Sequence, residues 1–121
     1  MLKWAYPSAS MHPSMSTNYP WLSSYSPSTP HEVDLEEFPT IVSVLEHAIN
    51  KFSGRPAFTN FGKTLSYRQI DELSKQFANY LIHELNLKKG DRVAIMLPNI
   101  LQYPIAIFGV LRAGLTVVNT N

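Results

Sequence analysis

The sequence of 121 residues contains no cysteine, and its charges nearly balance. Without cysteine the chain can form no disulfide, zinc–thiolate site, iron–sulfur cluster or thiol nucleophile. Ten Lys and Arg residues stand against nine Asp and Glu residues, which gives a formal charge of +1. A charge this small creates no field that would recruit DNA, RNA or anionic lipid, so we expect no nucleic-acid partner.

Long apolar runs are also absent. Lys3 is not followed by an apolar segment of signal-peptide length. The most hydrophobic stretch, residues 93–118, contains a single charged residue, Arg112. Polar residues, prolines and glycines divide it: Pro98, Asn99, Gln102, Pro104, Gly109 and Gly114. Its longest uninterrupted piece is too short to span a bilayer. Because no signal peptide is visible and the lack of cysteine permits a reducing compartment, we expect a cytoplasmic protein.

Residues 1–39 differ in composition from the rest of the chain. They hold six of the nine prolines, eight serines and no glycine, and no apolar periodicity develops among them. This composition predicts an extended Pro/Ser-rich arm. The translation start stays open between Met1, Met11 and Met15.

A regular pattern begins at Thr40, and residues 40–121 are expected to fold. Thr40 can cap the N-terminus of a helix, and Gly54 can end it. The apolar residues of this helix recur at helical spacing: Ile41, Val44, Leu45, Ala48, Ile49 and Phe52. Aromatic and β-branched residues then alternate with polar ones over residues 57–61 and 64–67, which predicts a hairpin around residues 62–63.

The following pattern predicts a helix and a strand. Ser66 and Gln69 have capping-box spacing at the start of a helix over residues 67–85. A polar turn over residues 86–92 leads to an apolar run at residues 93–97, which has the length of a strand buried on both faces.

A second helix and strand complete the pattern. Asn99 can cap a helix reaching Ala113, with Pro104 near its first turn and Gly114 as its stop. Residues 115–119 form another buried strand. A hairpin followed by helix, strand, helix and strand predicts an α/β fold whose last two strands close as a right-handed parallel crossover.

Residues 109–116 imitate a phosphate-binding loop, with Gly109, Gly114 and Thr116 at the expected spacing. However, Leu115 stands where such a loop needs its lysine. The segment also leads from a helix into a strand, whereas a phosphate loop leads from a strand into the amide end of a helix. We therefore interpret it as a helix C-terminus.

The remaining polar residues show no catalytic pattern. Lys88, Lys89 and Arg92 could contact an anion, but Asp91 lies among them, and a solvated turn explains all four. The four histidines lack metal-ligand spacing: His12, His31, His47 and His83. A small acidic cluster gives no reason to expect burial: Asp34, Glu36 and Glu37. We assign no catalytic, cofactor-binding or metal-binding residue.

The helix after Asn99 is apolar around its whole circumference rather than along one stripe. Such a helix has to pack against other elements on several sides. Three predicted helices and a few short strands are too few to bury it, so we expect the chain to be the N-terminal part of a larger protein.

Four segments of the sequence have a wording that is typical of one enzyme family. They are Arg55-Pro-Ala-Phe58, Leu65-Ser-Tyr-Arg-Gln-Ile-Asp-Glu-Leu-Ser74, Leu87-Lys-Lys-Gly-Asp-Arg-Val-Ala-Ile-Met-Leu-Pro-Asn99 and Leu101-Gln-Tyr-Pro-Ile-Ala-Ile-Phe-Gly-Val-Leu-Arg-Ala-Gly114. These segments resemble the opening of acyl-adenylate-forming enzymes, and most of all bacterial long-chain fatty-acid CoA ligases. The last segment is the most particular to that branch, and the likeness covers about residues 19–121.

The resemblance implies that residues 40–121 begin the large AMP-binding domain and leave it incomplete. It implies a ligase that joins a fatty acid to AMP from ATP with Mg²⁺ and then transfers the acyl group to coenzyme A. The family's phosphate loop, nucleotide-binding motifs, acyl tunnel and catalytic lysine match no segment of this chain. The chain itself is therefore expected to be inactive scaffold that binds no ATP, Mg²⁺ or coenzyme A.

We also expect peripheral contact with the inner face of the cell membrane. The resemblance indicates nothing about the oligomeric state or the preferred acyl chain length. Two alternatives stay open: another AMP-forming enzyme, such as an aryl-CoA ligase or a peptide-synthetase adenylation domain, or a non-catalytic interaction module.

Overall fold

The computed structural model describes residues 19–32, 34 and 36–120. The chain divides into two units, residues 1–33 and 34–121. In the described part of the first unit, Pro20–Ser24 form a short 3-10 helix, and the rings of Tyr19 and Trp21 stack at 4.8 Å. The predicted arm is therefore not extended throughout. Proline fixes a backbone angle that suits the first helical position, which accounts for the turn.

Helix α1 spans Ile41–Phe52, and Thr40 caps it as predicted. The Thr40 hydroxyl accepts a hydrogen bond from the amide of Ser43 at 3.0 Å. The Ser43 hydroxyl in turn accepts a hydrogen bond from the amide of Thr40 at 3.1 Å. Gly54 does not end the helix in a left-handed conformation, because Ser53 still has right-handed helical angles and Gly54 is not among the glycines with positive φ.

The predicted hairpin is confirmed. Strand β1, Pro56–Asn60, pairs antiparallel with strand β2, Lys63–Ser66. The turn consists of Phe61 and Gly62, with φ of 46° and 73°. Two positive φ angles define the tight turn whose twist matches that of the flanking strands. The turn therefore lies one residue earlier than predicted.

Helix α2 spans Tyr67–Asn79 and continues as a π-helical turn, Tyr80–Glu84. The predicted capping box of Ser66 and Gln69 is present. The π turn, which the sequence pattern did not predict, is marked by the bond from the Leu85 amide to the Tyr80 carbonyl at 3.2 Å.

Helix α3 spans Gln102–Arg112, so it begins later than predicted, and Asn99 does not cap it. Proline supplies the reason. A helix capped by Asn99 would require an amide hydrogen from Pro104, whereas a start at Gln102 places Pro104 in the first turn, where no such hydrogen is needed.

The predicted end of α3 at Gly114 is confirmed. Gly114 has φ 73°, and the amides of Gly114 and Leu115 bond back to Leu111 and Val110.

Strand β3, Arg92–Ile95, pairs parallel with strand β4, Thr116–Asn119. The α/β assignment and the parallel crossover through α3 are thus confirmed. The prediction that both strands are buried on both faces is wrong for this chain. Val93, Ile95 and Val117 join the core, whereas Ala94 and Val118 are exposed, because the helices cover only one face of the sheet.

Helix α3 lies between two hydrophobic clusters, which explains why it is apolar on several sides. Val110 joins one cluster with Leu81, Ile95 and Leu115. Ile105 and Phe108 pack on the other cluster, formed by Leu45, Ile49 and Ile70. This chain therefore buries more of the α3 surface than the sequence led us to expect.

In the described part of the chain, no helix is both long enough and apolar enough to cross a membrane.

Helices α2 and α3 pack closely at Gly109. A Cβ atom added there would lie 2.7 Å from Cδ1 of Phe77 and 3.1 Å from the carbonyl oxygen of Ser74. Ser74, on the α2 side of this contact, is fully buried. The Ser74 hydroxyl donates a hydrogen bond to the Asp71 carbonyl at 3.2 Å.

One turn away, Arg112 of α3 binds Asp71 of α2. The Arg112 Nη2 lies 2.7 Å from Asp71 Oδ1, and only 8% of the arginine side chain is exposed. Glu46 of α1 lies 3.6 Å from Arg112 Nη1, and Lys75 contacts the other Asp71 oxygen at 2.7 Å. This ion-pair cluster joins all three helices around a buried positive charge.

Replacing Gly109 by alanine should destabilise the protein by about 2 kcal/mol, because the added methyl group overpacks the contact with Phe77. Gly54→Ala is the matched control, since a Cβ at Gly54 meets open space and its φ is not positive. Urea denaturation of the full-length protein measures both variants. Equal stability of the two would contradict the assigned role of the α2–α3 contact.

Asp71→Asn should lower the free energy of unfolding by about 2–3 kcal/mol, because it leaves the buried Arg112 without its main counter-charge. Lys75→Gln removes a cation that is 59% exposed, so its effect should stay under about 1 kcal/mol. Thermal unfolding of both variants tests the difference. A loss for Lys75→Gln as large as that for Asp71→Asn would show that surface charge, and not burial, governs the cluster.

Candidate functional site

A groove of about 440 Å³ lies between the hairpin and the N-terminal end of α3. Its lining is mostly apolar: Phe58, Thr59, Asn60, Asn99, Ile100, Leu101, Tyr103, Pro104, Ile107 and Phe108. One hydrogen bond joins its two walls, since Asn60 Nδ2 donates to the Asn99 carbonyl at 3.0 Å. Sequence reasoning missed the groove because its two walls are about forty residues apart.

The groove is suited to holding an apolar group and not to moving a proton. Tyr103 is its only titratable lining residue, and neither a carboxylate nor a histidine, lysine or arginine faces it. General acid–base chemistry needs such a group within hydrogen-bond reach of the reacting atom. The groove therefore supplies no catalyst by itself.

The predicted turn before β3 is confirmed as a structural feature. Asp91 Oδ2 accepts from the amide of Lys88 at 2.7 Å, and the Asp91 amide donates to the Lys88 carbonyl at 2.9 Å. Gly90 has φ 91°, a conformation that side chains rarely adopt. Asp91 thus closes the turn, while Lys88, Lys89 and Arg92 are exposed.

The segment of residues 109–116 is a helix C-terminus, as the sequence indicated. Gly109 packs against α2, Gly114 ends α3, and Thr116 begins β4. The backbone groups at this end are carbonyls, which repel a phosphate. The segment therefore does not work as a phosphate loop.

The described histidines and the acidic cluster do not come together in a metal site. Among the described residues, no group of three His, Asp or Glu side chains could hold an ion. His47 and His83 are exposed on their helices, as expected, and His47 meets the ring of Phe38 edge-on at 5.1 Å. His12 lies outside the described residues.

The acidic cluster before α1 is solvated, as the sequence indicated. Asp34, Glu36 and Glu37 are all exposed. The Glu36 amide donates to Asp34 Oδ1 at 2.9 Å, which is a local turn contact. The cluster therefore offers no buried carboxylate for acid catalysis.

Arg112 is a charged residue whose side chain is buried, and the sequence analysis did not assign it to a site. Its Nε is buried without a hydrogen-bond partner among the described residues. The available signal was that Arg112 is the only charge in the apolar stretch of residues 93–118, since a lone charge among core residues is rarely buried without a partner. Its partners lie on other helices, so spacing could not identify them.

Comparison with known proteins identifies the family. The profile of the family described as AMP-binding enzyme matches residues 45–121. A long-chain-fatty-acid CoA ligase from Salmonella typhimurium strain LT2 is 48% identical over 101 residues, which make up 84% of this chain and 18% of that ligase. The chain thus spans about a fifth of the length of this relative.

Two solved structures are similar to this chain in fold. A proposed long-chain-fatty-acid CoA ligase from Rhodopseudomonas palustris CGA009 is 27% identical with a TM-score of 0.63, over 67% of this chain and 21% of that one. The N-terminal subdomain of NpsA from Klebsiella oxytoca, at 21% identity, shares the fold with a TM-score of 0.66 over 75% of this chain and 23% of that one. Since the family profile also covers more than half of the residues, the chain belongs to the AMP-binding enzyme family.

Proposed function

We propose that the protein carrying this chain is a long-chain fatty-acid CoA ligase. The fatty-acid carboxylate attacks the α-phosphorus of ATP, forming acyl-AMP and releasing pyrophosphate. The sulfur of coenzyme A then takes the acyl group and AMP leaves. The observation that carries this proposal is the 48% identity over 101 residues with the Salmonella ligase.

The described residues contribute support rather than chemistry to this reaction. The groove beside α3 lacks a proton-transfer group, and the end of α3 presents carbonyls instead of phosphate-binding amides. No described cluster of carboxylates and histidines fits the Mg²⁺ that accompanies ATP. We therefore assign ATP, Mg²⁺ and coenzyme A to parts of the ligase outside this chain.

Because ATP and coenzyme A are co-substrates of the proposed reaction, we propose that the enzyme is cytoplasmic.

The full-length protein should form palmitoyl-CoA and AMP from palmitate, ATP and coenzyme A. Liquid chromatography of the products measures both. Benzoate and free amino acids serve as alternative acids. Activation of benzoate or an amino acid in preference to palmitate would refute the long-chain assignment and favour another adenylate-forming enzyme.

The 121-residue chain alone should give no heat of binding with Mg-ATP in calorimetry and no acyl-CoA. The reason is that its only loop with phosphate-like spacing is the C-terminus of α3. Saturable binding that disappears with Gly114→Ala would show that this loop binds nucleotide after all. Because this variant strains a left-handed position, its melting temperature has to be measured alongside.

A further inference from the structure

We draw no further inference here: the strongest candidate, the apolar groove between the hairpin and the N-terminal end of α3, is an open surface of a chain that spans about a fifth of the Salmonella ligase, and nothing in the structure shows what covers it.

Discussion

The fold of the second unit depends on how closely α2 and α3 approach each other at Gly109. There is no room for a side chain at this position, because a Cβ atom would come within 2.7 Å of Phe77. The ion pair between Asp71 and Arg112 lies on the same line of contact. Since residue numbers fall along α3 as they rise along α2, the two helices cross antiparallel. A small-residue contact sets their distance, and a buried charge pair fixes their register.

The same arrangement places α3 at the centre of the hydrophobic core. With α2 held close on one side, α3 contributes Val110 to one hydrophobic cluster and Phe108 to the other. The parallel pairing of β3 and β4 follows from the position of α3 between them in the sequence. The hairpin takes part in this core through Ala57 and Leu65, whereas Phe61 at its tip is exposed. These core residues therefore account for the family fold.

Features set by neighbouring residues could be predicted from the sequence, whereas features that join distant segments could not. The capping box at Ser66 and the glycine stop at Gly114 depend on three or four adjacent residues and were predicted correctly. Asn99 was misassigned as a cap because the constraint from Pro104 outweighed its capping preference. The pairing of Arg112 with Asp71 and the groove beside α3 join residues about forty positions apart, for which a single sequence gives no signal.

A double-mutant cycle between Gly109→Ala and Phe77→Ala tests the central role of the α2–α3 contact most directly. Alanine lacks the Cδ1 atom that the added methyl group would strike, so the penalty for Gly109→Ala should shrink by about 1 kcal/mol or more in the Phe77→Ala background. Urea denaturation of the four full-length proteins gives the coupling energy. Additive effects of the two substitutions would show that the helices adjust freely at Gly109, and would contradict the account.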